Sequence, residues 1–199
     1  MWSVSKGAAL PSPLLTGRRE RSHRFEAVYA AHHGPILGYL LRRTDNPDDA
    51  ADALAETFLA AWRRLEDVPA GSDARLWLYG VARRVLANYH RGQRRRSALA
   101  GRLRADLAVS YRPPEYTGEL AQIAEAYRRL PAGEREVLAL SAWEGLGHGE
   151  IAVVLDCSRN AVRIRLHRAR KRFARELAAG QAQSQSADPG LHIPNGDLA

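Results

Sequence analysis

The chain has 199 residues, of which 45% are hydrophobic, enough apolar material for one or two folded domains and too much for a wholly disordered protein. Its formal net charge of +8 favours a polyanionic partner. Of the 30 basic residues only Lys6 and Lys171 are lysine; the arginines suit phosphates and guanine edges, although the ratio itself also fits codon bias in a GC-rich genome.

The spacing of apolar and helix-breaking residues divides the chain into five segments. Tails over residues 1–22 and 179–199 contain prolines, glycines or glutamine-serine repeats, and we expect both to be flexible. Between them, helical periodicity predicts a first domain over residues 23–96 and a second over residues 119–178, joined by a linker over residues 97–118. No convincing strand alternation occurs, so the predicted fold is all-α, with two small helical domains.

The first domain is predicted to hold three or four helices. One runs from Phe25 to Arg43. The next begins at Asn46, whose side chain can cap a helix, and Pro47 suits the first helical position. A third begins near Ser72. Their apolar faces comprise Phe25, Val28, Ile36 and Leu40, then Leu54, Phe58, Trp62 and Leu65, then Leu78, Val81, Val85 and Tyr89.

The second domain is predicted to hold four helices. The first stops at Pro131, the second ends at Gly145, and the third is a short helix over His148–Leu155. After a turn over residues 156–158 comes a longer basic helix, an order typical of the helix-turn-helix motif. The apolar stripe of the long helix comprises Val162, Leu166, Ala169, Phe173 and Leu177.

The long last helix is the strongest candidate for contact with duplex DNA. Eight basic residues and no acid lie between Arg159 and Arg175, and their mutual repulsion disfavours a merely solvated helix. With the apolar stripe facing the domain, the opposite face can enter a major groove, while flanking arginines meet phosphates. The candidate duplex-binding residues are Arg159, Asn160, Arg163, Ile164, Arg165, His167, Arg168 and Lys171.

The third helix carries cations beside an aromatic ring on one flank, a mixture that suits an unpaired DNA strand, because bases stack on rings and arginines meet phosphates. These residues are Trp77, Arg84, Asn88, Arg91 and Arg95. A half-buried core position is the alternative for Trp77, and we expect Tyr89 to lie in the core. The arginines and Asn88 are therefore the stronger candidates.

The second helix carries negative charge on one face, in contrast to the positive charge of the third and the last helix. Asp49, Asp52 and Glu56 align on one face, although Asp52 and Glu56 repel one another at a spacing of four residues. An acidic face in a basic DNA-binding protein would repel DNA, so it fits a docking surface for a basic protein partner. An ordinary solvated face is the alternative.

Signals for catalysis, metal binding and membrane insertion are weak. The histidines are scattered, and no HExxH, GxxxxGK[ST], GxSxG or paired-cysteine spacing occurs. Cys157 is the only cysteine, which excludes an intrachain disulfide. Its position after Asp156 indicates a small turn residue. No stretch approaches the roughly 18–20 apolar residues of a membrane span. We expect a cytoplasmic protein with no metal or other cofactor.

Four stretches resemble extracytoplasmic-function RNA polymerase sigma factors: Asp52–Trp62, Arg75–Arg84, Leu130–Leu138 and Ile151–Arg170. The resemblance implies a non-enzymatic factor that binds core RNA polymerase and promoter DNA and directs initiation, including strand opening. An anti-sigma factor is a further candidate partner.

The resemblance also implies a role for each segment of the chain. The second helix would dock on the clamp helices of the largest polymerase subunit through Asp49, Asp52, Glu56 and Phe58. The loop Glu66–Asp73 and the following helix, with Arg75 added to its flank, would capture melted bases of the −10 element. The last helix would bind the −35 element as duplex, and the linker would run toward the RNA exit path.

Three departures from the family pattern stand out. Asp156 occupies a turn position where the family usually has glycine, and a left-handed residue other than glycine costs roughly 1–2 kcal/mol. The stretch Asn160–Arg165 lacks two hydroxyls that the family often carries, so the upstream consensus is not transferable. Ala55 replaces a glutamine, which removes one expected polymerase contact.

Two rival functions remain at this point. A stand-alone helix-turn-helix regulator that never contacts polymerase explains the second domain equally well, but it leaves the acidic second helix and the flank of the third helix unexplained. A nucleic-acid enzyme would need a cluster of acids or metal ligands, which the sequence lacks.

Overall fold

The computed structural model of the chain describes the backbone of residues 13–100 and 117–186 and the side chains of residues 17–92 and 117–182. Within these ranges the regular elements are seven α helices and one short 3-10 helix, with no strand, so the predicted all-α fold is confirmed. The chain divides into two compact units, Met1–Tyr111 and Arg112–Ala199.

The first unit is a bundle in which each of three helices packs against the other two. These helices are α1 (Pro13–Leu41), α2 (Pro47–Arg63) and α3 (Asp73–Ala100), with the 3-10 helix Leu65–Asp67 between the last two. Fully buried side chains from all three meet in the core and include Ile36, Tyr39, Leu40, Ala61, Leu78 and Tyr79.

Local chemistry sets the start of α2. The Asn46 side chain accepts a hydrogen bond from the Asp48 backbone N–H at 2.8 Å, and Pro47 occupies the first turn. The acids Asp48 and Asp49 lie where the helix dipole is positive. The cap predicted from the sequence is therefore present.

The first helix begins earlier than predicted. It starts at Pro13, so residues 13–22 are helical where the sequence indicated a flexible tail. A distant contact explains part of the difference: Arg21 donates through Nη2 to the Trp62 carbonyl at 2.8 Å, and its guanidinium lies 5.1 Å from the centre of the Trp62 ring. Such a contact has no signature in local periodicity.

The predicted stripe of α3 is buried only in its first half. Leu78 and Val81 are buried as predicted, whereas Val85 and Tyr89 are half-buried. The buried face continues instead through Leu86, so the sequence pattern identified the helix but placed the later part of its buried face too close to Tyr89.

The second unit packs its long helix against the other three. The helices are α4 (Gly118–Arg128), α5 (Ala132–Ala142), α6 (His148–Leu155) and α7 (Arg159–Ser186). Their core includes Val137, Leu140, Ile151, Val162 and Leu166, each at most 1% exposed. Because α7 continues to Ser186, it extends past residue 178, where the sequence predicted the second domain to end.

The turn between α6 and α7 holds the one non-glycine residue with positive φ in the described ranges. Asp156 has φ 51° and ψ 57°, the left-handed conformation expected from the glycine that the family usually places there. Cys157 follows, and its backbone N–H donates to the Ala152 carbonyl at 3.0 Å. The turn is thus closed by backbone bonds around a strained residue.

Replacing Asp156 tests this strain. We expect Asp156→Ala to lower the free energy of unfolding by about 1 kcal/mol, because alanine lacks the short polar side chain that eases the left-handed conformation. Asp156→Gly relieves the strain but adds conformational freedom to the unfolded chain. Its free energy of unfolding should therefore match or slightly exceed that of the unmutated protein. Urea denaturation followed by circular dichroism measures both variants; equal stability of the two would contradict a left-handed turn in solution.

Candidate nucleic-acid interface

The long helix α7 has one side committed to the core. Val162, Leu166 and Ala169 are 0–1% exposed, and Phe173 is half-buried. These are the residues that the sequence assigned to the apolar stripe. Their burial fixes the rotation of α7, and with it the identity of the residues that face solvent.

All eight candidate duplex-binding residues are on the exposed side of α7. None of them is a core residue, and Ile164 is an exposed apolar side chain at 39%. The exposed set is Arg159, Asn160, Arg163, Ile164, Arg165, His167, Arg168 and Lys171. The helix therefore presents a continuous basic face with one apolar side chain within it.

Two of these side chains, Arg163 and Asn160, are hydrogen-bonded to each other. Arg163 donates through Nε and Nη2 to the Asn160 Oδ1 atom at 3.3 and 3.1 Å. A guanidinium has five N–H donors, so this pairing leaves the Nη1 donors and one on Nη2. Those remaining donors form the end-on fork that matches the O6 and N7 acceptors of guanine.

Polar contacts hold the N-terminal end and the middle of α7. Ser158 caps the helix, since its hydroxyl accepts the Ala161 N–H at 3.1 Å. Further along, Arg172 pairs with Glu134 of α5 at 2.9 Å. Arg172 is thus engaged within the unit, and the candidate DNA-binding residues lie on a helix that is fixed at two points.

The α3 flank exposes three of its predicted polar residues. Arg84, Asn88 and Arg91 are exposed, and the Arg91 guanidinium donates to the Asn88 side-chain carbonyl. Trp77 is half-buried, and the Arg64 guanidinium lies 5.9 Å from its ring centre. The side chain of Arg95 lies outside the described residues.

A histidine borders the start of this flank. Burial lowers the pKa of His32 below its usual value of 6.5, and the positive charge of Arg75 lowers it further. His32 is therefore neutral near pH 7. Arg75, half-buried at the start of α3, does not face a second cation there at that pH.

The exposed face of α2 remains acidic but is smaller than the sequence indicated. Asp52 and Glu56 are exposed and Asp49 is half-buried. The nearby acids Glu66 and Asp67 form ion pairs with arginines, Arg24 at 3.1 Å and Arg64 at 2.8 Å, so they add little uncompensated negative charge to this face.

Phe58 does not belong to this surface. It is 4% exposed and packs edge-on against the rings of Phe25 and Tyr29. The large apolar side chain that α2 exposes is Leu59, at 46%, which follows Asp52 by seven residues and so shares its face. That spacing was the signal in the sequence; the motif drew attention to the adjacent aromatic residue instead.

The described residues contain neither a membrane-spanning helix nor a cluster of metal ligands. None of their helices is long and apolar enough to cross a membrane. Within the same ranges, no group of three or more histidine, cysteine, aspartate or glutamate side chains is placed to hold a metal ion.

Comparison with known proteins gives matches over both units. Residues 28–96 match the family model of Sigma-70 region 2, and residues 120–173 match that of Sigma-70, region 4. RNA polymerase sigma factor CnrH of Cupriavidus metallidurans is 32% identical over 161 residues, covering 75% of this chain and 84% of that protein. ECF RNA polymerase sigma factor SigL of Mycobacterium tuberculosis is 31% identical over 144 residues, covering 71% and 81%.

Two solved structures of sigma factors are similar to this chain. CnrH in complex with the cytosolic domain of CnrY aligns with a TM-score of 0.56 at 31% identity, covering 78% of this chain and 88% of that one. The sigma factor RpoE of Bartonella quintana, solved with the anti-sigma factor NepR, aligns with a TM-score of 0.52 at 20% identity, covering 82% and 97%. The second match supports the likeness of fold alone.

Proposed function

This chain belongs to the extracytoplasmic-function group of RNA polymerase sigma factors, and we propose that its two helical units divide the recognition of a promoter between them. Sigma factors are non-enzymatic initiation factors, so the chain directs promoter-specific transcription and catalyses no step itself. The observation that carries the proposed division is the exposed basic face of α7, opposite its buried stripe.

The second unit reads the −35 element as duplex. Its α7 face offers an arginine fork at Arg163, an amide at Asn160 and an apolar side chain at Ile164, groups that read guanine, adenine and a thymine methyl respectively. Arg159, Arg165 and Arg168 flank this centre and suit phosphates, which position the helix without reading sequence. The helix-turn-helix then inserts α7 into the major groove.

The first unit captures the melted strand of the −10 element and aids strand opening. Its α3 flank combines exposed Arg84, Asn88 and Arg91 with the half-buried ring of Trp77. Cations beside a ring favour unpaired bases over a closed duplex, because the ring offers a stacking platform only to a base that has left its pair. Binding energy of this kind shifts the equilibrium toward opened DNA.

The exposed side of α2 docks on the clamp helices of the largest subunit of core RNA polymerase. Asp52 and Glu56 supply the charge, and Leu59 supplies apolar area beside them. A charged rim around an apolar contact is the usual composition of a protein–protein interface. Phe58 supports this surface from beneath, through its ring contacts with α1.

We also propose that an anti-sigma factor binds this chain and that the chain acts in the cytoplasm. The support is that the relative CnrH has been solved in complex with the cytosolic domain of another protein, CnrY. Such a partner would control access of this chain to polymerase.

Run-off transcription with core RNA polymerase on genomic promoter fragments tests the proposed function. We expect discrete transcripts that require this chain, and its co-purification with core enzyme. A stand-alone regulator would bind duplex DNA through α7 but would neither co-purify with polymerase nor start transcripts. That result would overturn the proposal.

The flank of α3 is tested by removing its exposed side chains. We expect Arg84→Ala and Asn88→Ala to lower open-complex formation several-fold on a duplex promoter and less on a template whose −10 region is already unpaired, because the flank favours separated strands. Permanganate footprinting of the melted bases measures this. Equal losses on both templates would assign strand capture alone, and no loss would leave the flank merely solvated.

A further inference from the structure

The segment between α2 and α3 is fixed at its base and exposed at its tip. Leu65 and Val68 are 0% and 2% exposed, so the base is inserted into the first unit. The following residues, 69–72, are all exposed, and Gly71 has a φ of 66°. We call residues 64–72 the capture loop.

An arginine from α1 reaches across to the base of this loop. Arg24 donates through Nη2 to the Val68 carbonyl at 2.9 Å, across 44 positions in the chain, and through Nη1 to the Glu66 carboxylate at 3.1 Å. One side chain thus binds both a backbone atom and a side chain of the capture loop.

The bond to the Val68 carbonyl is the more important of the two. The Glu66 side chain is 77% exposed, and exposed ion pairs contribute little to stability. The carbonyl bond is partly buried and made by a charged donor; removing such a donor leaves a backbone acceptor without its partner. Arg24 therefore holds the main chain of the loop just before its exposed tip.

A second arginine, Arg64, belongs to the loop itself and stabilises it. Arg64 pairs with Asp67 at 2.8 Å, and its guanidinium lies over the Trp77 ring of the α3 flank. The capture loop consequently has contacts on both sides, with α1 through Arg24 and with α3 through Arg64. Its tip is the part left to meet a ligand.

We propose that Arg24 is a positioning residue for base selection at the −10 element: it holds the capture loop so that the exposed tip meets an unpaired base in one geometry. This inference rests on the proposed function of the first unit. In this role Arg24 acts through its bonds to the loop, without contacting DNA. Its loss should therefore broaden the choice of base more than it weakens polymerase binding or duplex binding.

The experiment compares Arg24→Ala with one matched variant, Arg21→Ala, on a promoter that the unmutated factor transcribes, carrying each single-base change in the −10 element. A preferred base is usually discriminated from others by roughly 5- to 100-fold. With Arg24→Ala we expect that ratio to fall about fivefold or more, while core-polymerase affinity stays unchanged. Arg21→Ala removes an arginine one turn away that binds Trp62 and not the loop, so it should keep the ratio.

Amide hydrogen exchange on the free protein gives a readout that does not require transcription. The N–H groups of Asp67 and Val68 bond to the Arg64 and Leu65 carbonyls within the loop. Both should exchange faster in Arg24→Ala and not in Arg21→Ala, with helicity unchanged by circular dichroism.

The possible outcomes distinguish failure of the positioning role of Arg24 from failure of the proposed function. Transcription by the unmutated factor with an unaltered base ratio in Arg24→Ala would overturn the positioning role alone, as would a ratio lost equally in Arg21→Ala. No specific transcription by the unmutated factor would overturn the proposed function, and the positioning role with it. Faster loop exchange together with a reduced base ratio, in Arg24→Ala only, supports the proposal.

Discussion

Reversing both Asp52 and Glu56 to arginine is expected to weaken core-polymerase binding about 30-fold or more. Truncating one member of a buried charged pair across an interface costs about 2–5 kcal/mol, and reversal places like charges together, so its cost should be no smaller. Both side chains are exposed in the free chain, and the substitution replaces one like-charge pair with another at the same spacing. Helicity should therefore be retained.

The measurement combines polymerase affinity, circular dichroism and duplex binding on the same double variant. The α7 face is unaltered, so duplex affinity should be kept or slightly raised by the added positive charge. Reversing Glu20 and Glu26 of α1 is the matched control, because it changes the net charge of the first unit equally but leaves the α2 face intact. Polymerase binding unaffected in the double variant of α2 would rule out docking through this face.

Replacing Arg163 by alanine is expected to cost about 1–3 kcal/mol on the preferred upstream site, if its free donors fork onto a guanine. The same change should cost little on a scrambled duplex, because a base contact is made only on the matching sequence. Its present bonds to Asn160 orient the guanidinium without using all of its donors. His167 lies on the same exposed face and should show a smaller effect of the same kind.

Arg168→Ala is the contrasting variant on the same helix. Arg168 is exposed and flanks the reading face, so its loss should weaken all duplexes alike and reduce the salt dependence of binding by about one counterion. Titrations of specific and scrambled duplexes at several salt concentrations distinguish the two residues. Identical profiles for Arg163→Ala and Arg168→Ala would contradict the assignment of reading to one and positioning to the other.

Features governed by neighbours along the chain were predictable from the sequence. The start of α2 depends on Asn46 and Pro47, which act within a single turn, and the structure has that cap. The buried stripe of α7 follows from helical spacing alone, and Val162, Leu166 and Ala169 are buried as predicted. A helix with one strongly apolar side has one favourable rotation, so its exposed face follows from the same pattern.

The sequence located the α2 surface less well. Two adjacent residues, Phe58 and Leu59, are both large and apolar, and the motif favours the aromatic one as a contact. Their directions around the helix differ by 100°, so only one can face the core, and the packing of Phe25 and Tyr29 gives that place to Phe58. Residue type could not determine this, because it depends on where α1 lies.

The sequence by itself thus determined the order of the helices, the two units, the family and the exposed basic face of α7, since each follows from local spacing or from motifs carried in order. Only the tertiary structure decided the contacts that join distant segments: Arg21 on Trp62, Arg24 on Val68 and Arg172 on Glu134. Each arginine is one of many similar exposed candidates in the sequence. Its partner is a carbonyl or carboxylate that comes within reach only when the helices pack, and no periodicity along the chain encodes that distance.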